Sequence, residues 1–364
     1  MLDGPGVVSH PDVVHINKLG ACGQYPGNVR RDLFRRYTKK ESIPKPIKTR
    51  VQIENVRKQL EVVSHSILSP CDVFECLFTH SPRLFERYIA CNPRAFWDKV
   101  DPQDPKLAFL EDMIEVPNWK DKAIPYVIHG DKASFTTKNG QSLLVISWQS
   151  LLAIDFADAI FMITSMVSSI MLKKAEYSTG HNLWKAIVHE FNGLYDGVHT
   201  PYTHTGQEWP LMSHKRKLAG QEICGGKYFG VCWGFCGDLD YHCNELGTSH
   251  FNSNKAVCNA CPANRSDIPF TDVSPNAAFK CLIFCPNNCR AHPSLHPIWD
   301  IHGAGRWHIW FDFMHCGPLG AILYLEGGTL KRLLQFGCGT MRDRLDALWV
   351  RICELYTRLL TYDS

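Results

Sequence analysis

Two aspartates follow a glycine where apolar runs end: Asp131 in "PYVIHGD" and Asp238 in "YFGVCWGFCGD". A buried strand that ends this way delivers a carboxylate to the rim of a sheet. Two such acids on neighbouring strands could share divalent metal ions, which prefer oxygen ligands. Ions held like that activate a water or hydroxyl and stabilise the leaving oxygen of a phosphodiester. Gly-Asp also suits turns and helix N-caps, so both uses stay open for Asp131 and Asp238.

Downstream, Cys258 and Cys261 in "CNAC" have the spacing by which two thiolates reach one tetrahedral zinc. No matching second pair follows. Cys281, Cys285 and Cys289 come next, then His292 and His296, so the ligand set stays open and inert buried thiols remain the alternative. Asp312 and His315 in "DFMHCGPLG" are three apart and would share one face of a helix. His315 could then be a metal ligand with Asp312 as its companion, or the pair could simply satisfy each other.

The segment "AIPYVIHGDKASFTTKNGQSLLVISWQS", which carries Asp131, reads as a strand pair: two runs rich in β-branched and aromatic residues, split at Lys-Asn-Gly. Helices are expected at 151–175 and 181–196, then a strand at 227–236 leading to Asp238. The most apolar stretch, 159–172, is shorter than the roughly 20 residues a membrane span needs and reads as buried helix. Residues 51–120 read as a helical leader, because "RVQIENVRKQLEVVSHSIL" has helical apolar spacing and breaks follow at "SPCD", "SPR" and "NPR". This order predicts an α/β fold, a mixed sheet with flanking helices in 121–330. A Cys/His-rich insertion at 250–316 interrupts it, and helices at 331–364 follow.

With 45% hydrophobic and 21% charged residues, the 364-residue chain is ordinary globular material, and its net charge of +3 is too diluted to identify a partner. The charge is concentrated in the first fifty residues. Nine Lys or Arg lie between Arg30 and Arg50 against Asp32 and Glu41. Arg30, Arg31, Arg35, Arg36, Lys39 and Lys40 could bind phosphates by counterion release, with Phe34 and Tyr37 available to stack on bases. A solvated arm is the plainer alternative. Sixteen irregularly spaced cysteines point to a reducing compartment, and the absence of a basic-then-apolar leader argues against secretion.

The ordered series "HGD", "GDL", "CNAC", "IPFTD", "HPIW" and "DFMHCGPLG" resembles eukaryotic cut-and-paste transposases of the CACTA type and their Plavaka-like relatives, over residues 120–330. The resemblance implies a ribonuclease-H-like core with an Asp-Asp-Glu triad that binds Mg or Mn, with Asp131 as the first acid and Asp238 as the second. It matches Cys258 and Cys261 to the family's CxxC, and Asp312 and His315 to its Asp-x-x-His, with a structural Zn. It also implies DNA as partner, a nuclear location, no membrane span, and a homo-oligomer among the assemblies allowed. Asp131 and Asp238 are then expected to end adjacent strands with carboxylates about 4–8 Å apart.

Two departures stand out. Lys132 follows Asp131 where relatives carry a small residue, which would bring a positive charge close to the metals. The family's Glu lies on a helix beyond a long insertion, and the remainder after His315 is too short to hold both. Glu326, Asp343, Asp346, Glu354 and Asp363 are the acids left there. Asp343 and Asp346 read as salt-bridged surface acids on an amphipathic helix with Leu345, Leu348 and Trp349 inward. Glu354 is the best substitute. The expectation is a truncated or decayed copy, inactive as a nuclease. The alternative is a non-catalytic DNA- or protein-binding module with a structural zinc site.

Overall fold

The computed structural model describes residues 44–55, 57–134, 141–155, 159–173, 178–248, 261–272, 274–281, 296–311, 339–340, 342–347 and 349–350. The arm residues Arg30, Arg31, Arg35, Arg36, Lys39 and Lys40 lie outside these ranges, as do Cys258, Asp312, His315 and Glu354. The chain divides into two units, Met1–Trp310 and Phe311–Ser364.

Residues 47–67 form a hairpin, not the start of a helical leader: β1 (Ile47–Glu54) pairs antiparallel with β2 (Leu60–Ile67). Two periodicities compete in this segment. Ile53, Leu60, Val63 and Ile67 recur at helical intervals, whereas Ile47, Thr49, Val51 and Ile53 alternate with exposed or half-buried Lys48, Arg50 and Gln52. The alternation prevails because the buried row has a helix to pack on, and Asn55 closes the turn by accepting from the Arg57 and Gln59 amides.

Helices follow: α1 (Pro70–His80), α2 (Pro82–Tyr88), α3 (Pro93–Trp97), α4 (Pro105–Met113) and α5 (Trp119–Lys122). The breaks read from "SPCD", "SPR" and "NPR" are helix starts, with Ser69, Ser81 and Asn92 at the N-cap and proline in the first turn.

The main sheet begins with an antiparallel meander of β3 (Ala123–Ser134), β4 (Ser142–Ser150) and β5 (Phe161–Val167). The helix expected at 151–175 is therefore wrong. Its apolar centre is β5 followed by a single 3₁₀ turn at Ser168–Ile170, and a short apolar run fits strand and helix equally well by pattern. The next helix falls where expected. In α6 (Thr179–Asp196), the Ser178 side chain accepts from the His181 amide and Gly197, at φ 68°, ends the helix.

After α7 (His214–Leu218), β6 (Phe229–Gly237) pairs parallel to β3 and runs into α8 (Leu239–Asn244). Beyond α9 (Ala278–Cys281), β7 (Ile309–Phe311) completes the strand order β5-β4-β3-β6-β7. The protein is thus α/β, with a five-stranded mixed sheet and flanking helices.

Each sheet face has its own core. Tyr126, Ile128, Cys232 and Phe235 share one core with Leu183, Ile187, Phe191 and Leu194 of α6, where Tyr126 stacks on Phe191 at 4.8 Å. On the other face Ala123, Phe229, Val231 and Trp233 meet Trp97, Leu107 and Leu110.

In the second unit, residues 342–347 are helical. Asp343 accepts from the amide and hydroxyl of Thr340 at 2.8 and 2.6 Å. These hydrogen bonds hold its carboxyl below the ordinary range. Leu345 and Trp349, expected to face inward, are exposed.

Candidate functional site

β3 and β6 lie side by side and bring the two acids together. Their register pairs Ala123 with Phe229 and Tyr126 with Cys232, then shifts by one residue so that Val127 faces Gly234 and His129 faces Cys236. Extending the register by two positions sets Gly130 beside Gly237 and Asp131 beside Asp238. The backbone of Asp238, at φ −73° and ψ 168°, continues the extended path. In-register neighbours are separated by about 4.8 Å.

The irregularity is a β-bulge at Trp233 and Gly234, and it decides which way Asp238 points. Side chains alternate along a strand, so Phe229, Val231 and Trp233 share the face of Ala123 and Val127. In an unbulged strand of the same length Asp238 would lie opposite Lys132, on the other face from Asp131. With the bulge, Gly234, Cys236 and Asp238 take the face of Val127, His129 and Asp131.

The glycines have a packing reason. A Cβ on Gly130 would overlap the Tyr241 ring, and one on Gly237 would meet both that ring and the Gly130 carbonyl at 2.9 Å. The buried Tyr241 of α8 thus lies across both strands on the face opposite the acids.

Asp131 is exposed and accepts from the Lys132 amide at 2.6 Å. It lies within β3, which runs on to Ser134, so the strand does not end there as the sequence suggested. Asp238 caps α8, with Oδ1 accepting from the Tyr241 amide at 2.6 Å. The capping role left open from sequence is therefore real, and it coexists with the position beside Asp131. Lys132 alternates to the other face, where its ammonium pairs with Glu245 at 2.6 Å, so its charge is matched away from the two aspartates.

His242, one helical turn after Asp238, is buried between the Trp310 carbonyl and the Gly237 backbone. Burial pushes its imidazole below the ordinary value, more than these hydrogen bonds raise it. Among the described residues, no three or more His, Cys, Asp or Glu side chains are arranged to hold a metal ion. Of the expected zinc ligands, Cys261 is buried. His296 instead caps the 3₁₀ turn Pro297–Asp300, and its ring stands against Trp184.

A second constellation was not read from the sequence. Lys215 of α7 is 2% exposed and pairs with Asp72 of α1 at 2.9 Å and Glu190 of α6 at 2.6 Å. Its ammonium also donates to Ser69 at 3.0 Å, and Ser69 donates to Glu190. Burial opposes the charge on Lys215, but the two carboxylates outweigh it and raise its pKa. Burial likewise acts to raise Asp72, yet His214, at 2.8 Å, and Lys215 hold that carboxyl below its ordinary range. His199 lies 4.0 Å from Asp72 and 3.9 Å from Glu75, and burial lowers its pKa. The one legible signal was Glu190, an acid on the apolar stripe of α6 beside Ile187 and Phe191.

Set against known proteins, the chain matches no family model, no curated protein and no solved structure. No helix among the described residues is long and apolar enough to cross a membrane.

Proposed function

We propose that the chain carries a ribonuclease-H-like transposase core whose ancestral chemistry is metal-dependent cleavage and strand transfer of DNA phosphodiesters. One observation carries the reading: β3 and β6 pair in parallel through His129 and Cys236, and the register after the bulge, extended two residues further, puts Asp131 beside Asp238 on one face. A three-stranded meander, a crossover helix and a parallel strand, in the order β5-β4-β3-β6-β7, give the mixed sheet with flanking helices that such a core requires. Two neighbouring carboxylates suit Mg or Mn, which when bound would stabilise charge on the attacking and leaving oxygens. The residues of the chain position these acids. Tyr241 packs across Gly130 and Gly237 behind the acids, the Asp238 cap fixes one oxygen, and Glu245 draws Lys132 away.

With two acids at this edge among the described residues, the chain is expected to bind metal weakly and to leave DNA intact by itself. The proposal includes a structural Zn at Cys258 and Cys261 with His315, DNA contact through the basic arm, and nuclear action. The alternative is a DNA- or protein-binding module without catalysis.

Mn titration followed by water-proton relaxation tests the site. Binding should fall at least tenfold in both Asp131→Asn and Asp238→Asn, and binding as tight as the unaltered chain's in either variant would reject the shared site. Supercoiled DNA incubated with Mn should stay intact. Nicking abolished by Asp238→Ala would instead make the chain an active nuclease, with Glu354 the next acid to replace.

A further inference from the structure

Beside the buried ion cluster lies a cavity of about 330 Å³ between α6, β1 and the loop at 203–209. Ala186 and Glu190 line it from α6, Thr49 from β1, and His204, Gln207 and Trp209 from the loop. Lys48 and Arg50 border it as well, but strand alternation places their side chains on the outer face of the hairpin, where Lys48 donates to Ser66. The volume is at the small end of those that hold organic ligands.

The chemistry of the lining favours a cation. Glu190 is 1% exposed; its Oε2 takes the bonds from Lys215 and Ser69, while its Oε1 has no hydrogen-bond partner. A buried carboxylate oxygen left this way is costly, and a donor would relieve it. Asp72 and Glu190 share the single ammonium of Lys215, so the pair carries one more negative charge than the lysine cancels. His214 bonds to Asp72, not to Glu190. The nearby His199 and His204 are both lowered, with burial the leading cause, and His189, which also lines the cavity, has its Nε2 on the Tyr202 carbonyl and not on Glu190. Trp209 already has the Lys215 ammonium 6.0 Å from its ring centroid, and an indole face attracts positive charge.

We propose that this cavity is a binding site for a small organic cation, an alkylamine or alkylguanidine, whose N–H groups donate to Glu190 Oε1 while its stem lies against Trp209. The site is independent of the two aspartates and stands whether or not they bind metal.

The test uses the full chain, with thermal unfolding and calorimetric titration. Butylamine and agmatine are the cations, 1-butanol the uncharged analogue and inorganic phosphate the anion. The two cations should give a saturable rise in Tm that 1-butanol and phosphate do not. Ala186→Met, which fills the cavity one helical turn before Glu190 and removes no ion-pairing group, should weaken amine binding at least tenfold. Glu190→Gln should do the same; where that variant fails to fold, Ala186→Met alone decides. An equal shift with 1-butanol, a saturable shift with phosphate, no saturable shift with either amine, or amine binding unchanged in Ala186→Met would each overturn the proposal.

Discussion

At Gly130 and Gly237 the spacing of the acid-bearing strands depends on side chains that are missing. Placing a methyl at either position forces Tyr241 or the backbone to move, and overpacking of this kind costs about 1–3 kcal/mol. Gly130→Ala, whose methyl would overlap the Tyr241 ring, should therefore lower the stability measured by urea unfolding by that amount. In a double-mutant cycle Tyr241→Ala should recover most of the loss, and full additivity would show that the ring is not what the methyl meets. The pairs "HGD" and "GDL" were visible as letters, and so was the choice between cap and metal edge. The reason for the glycines was not, because the ring they accommodate lies several residues away on α8. Lys132 was misjudged for a similar reason. Sequence places it next to Asp131, whereas strand alternation sends it to Glu245.

Among the elements, α7 is anchored in the interior by a buried lysine. Lys215→Ala would leave Asp72 and Glu190 buried without their shared cation, and breaking a buried pair in this way costs about 3–5 kcal/mol. Chemical denaturation should show that loss, and a change below about 1 kcal/mol would mean that the carboxylates find another partner. Nothing in "SHKRKL" distinguishes Lys215 from its basic neighbours, because burial is conferred by α1 and α6 from far along the chain. α6 itself was legible, since its cap, apolar stripe and terminal glycine all agree. The hairpin at 47–67 and strand β5 were not, because their apolar residues satisfy two periods and the choice is made by what they pack against.

For the molecule as a whole, buried imidazoles set the response to acid. His65, His199, His204, His242 and His308 all have lowered pKa values with burial as the leading cause, and His308, whose Nδ1 accepts from the Gly305 amide, is pushed down to about 3. A folded value below the ordinary 6.5 means that the unfolded chain takes up protons first. The stability these groups contribute is complete above pH 6.5 and is lost as pH falls through their folded values. An imidazole whose pKa folding lowers by one contributes about 1.4 kcal/mol in this way. The urea midpoint should therefore decline steadily from pH 6.5 toward 3, and a midpoint constant down to pH 4.5 would contradict this.

The bulge at Trp233 and Gly234 separates the identity of a residue from its use. Smoothing the bulge away without changing the length of β6 would slide Asp238 opposite Lys132 and turn its carboxylate toward α6, although a comparison of letters would score the acid, its glycine and its cap as retained. Deleting Trp233 would do the opposite, removing the bulge while leaving Asp238 opposite Asp131. In this strand register carries information that letters do not, so a relative one residue shorter here keeps the pairing of its acids.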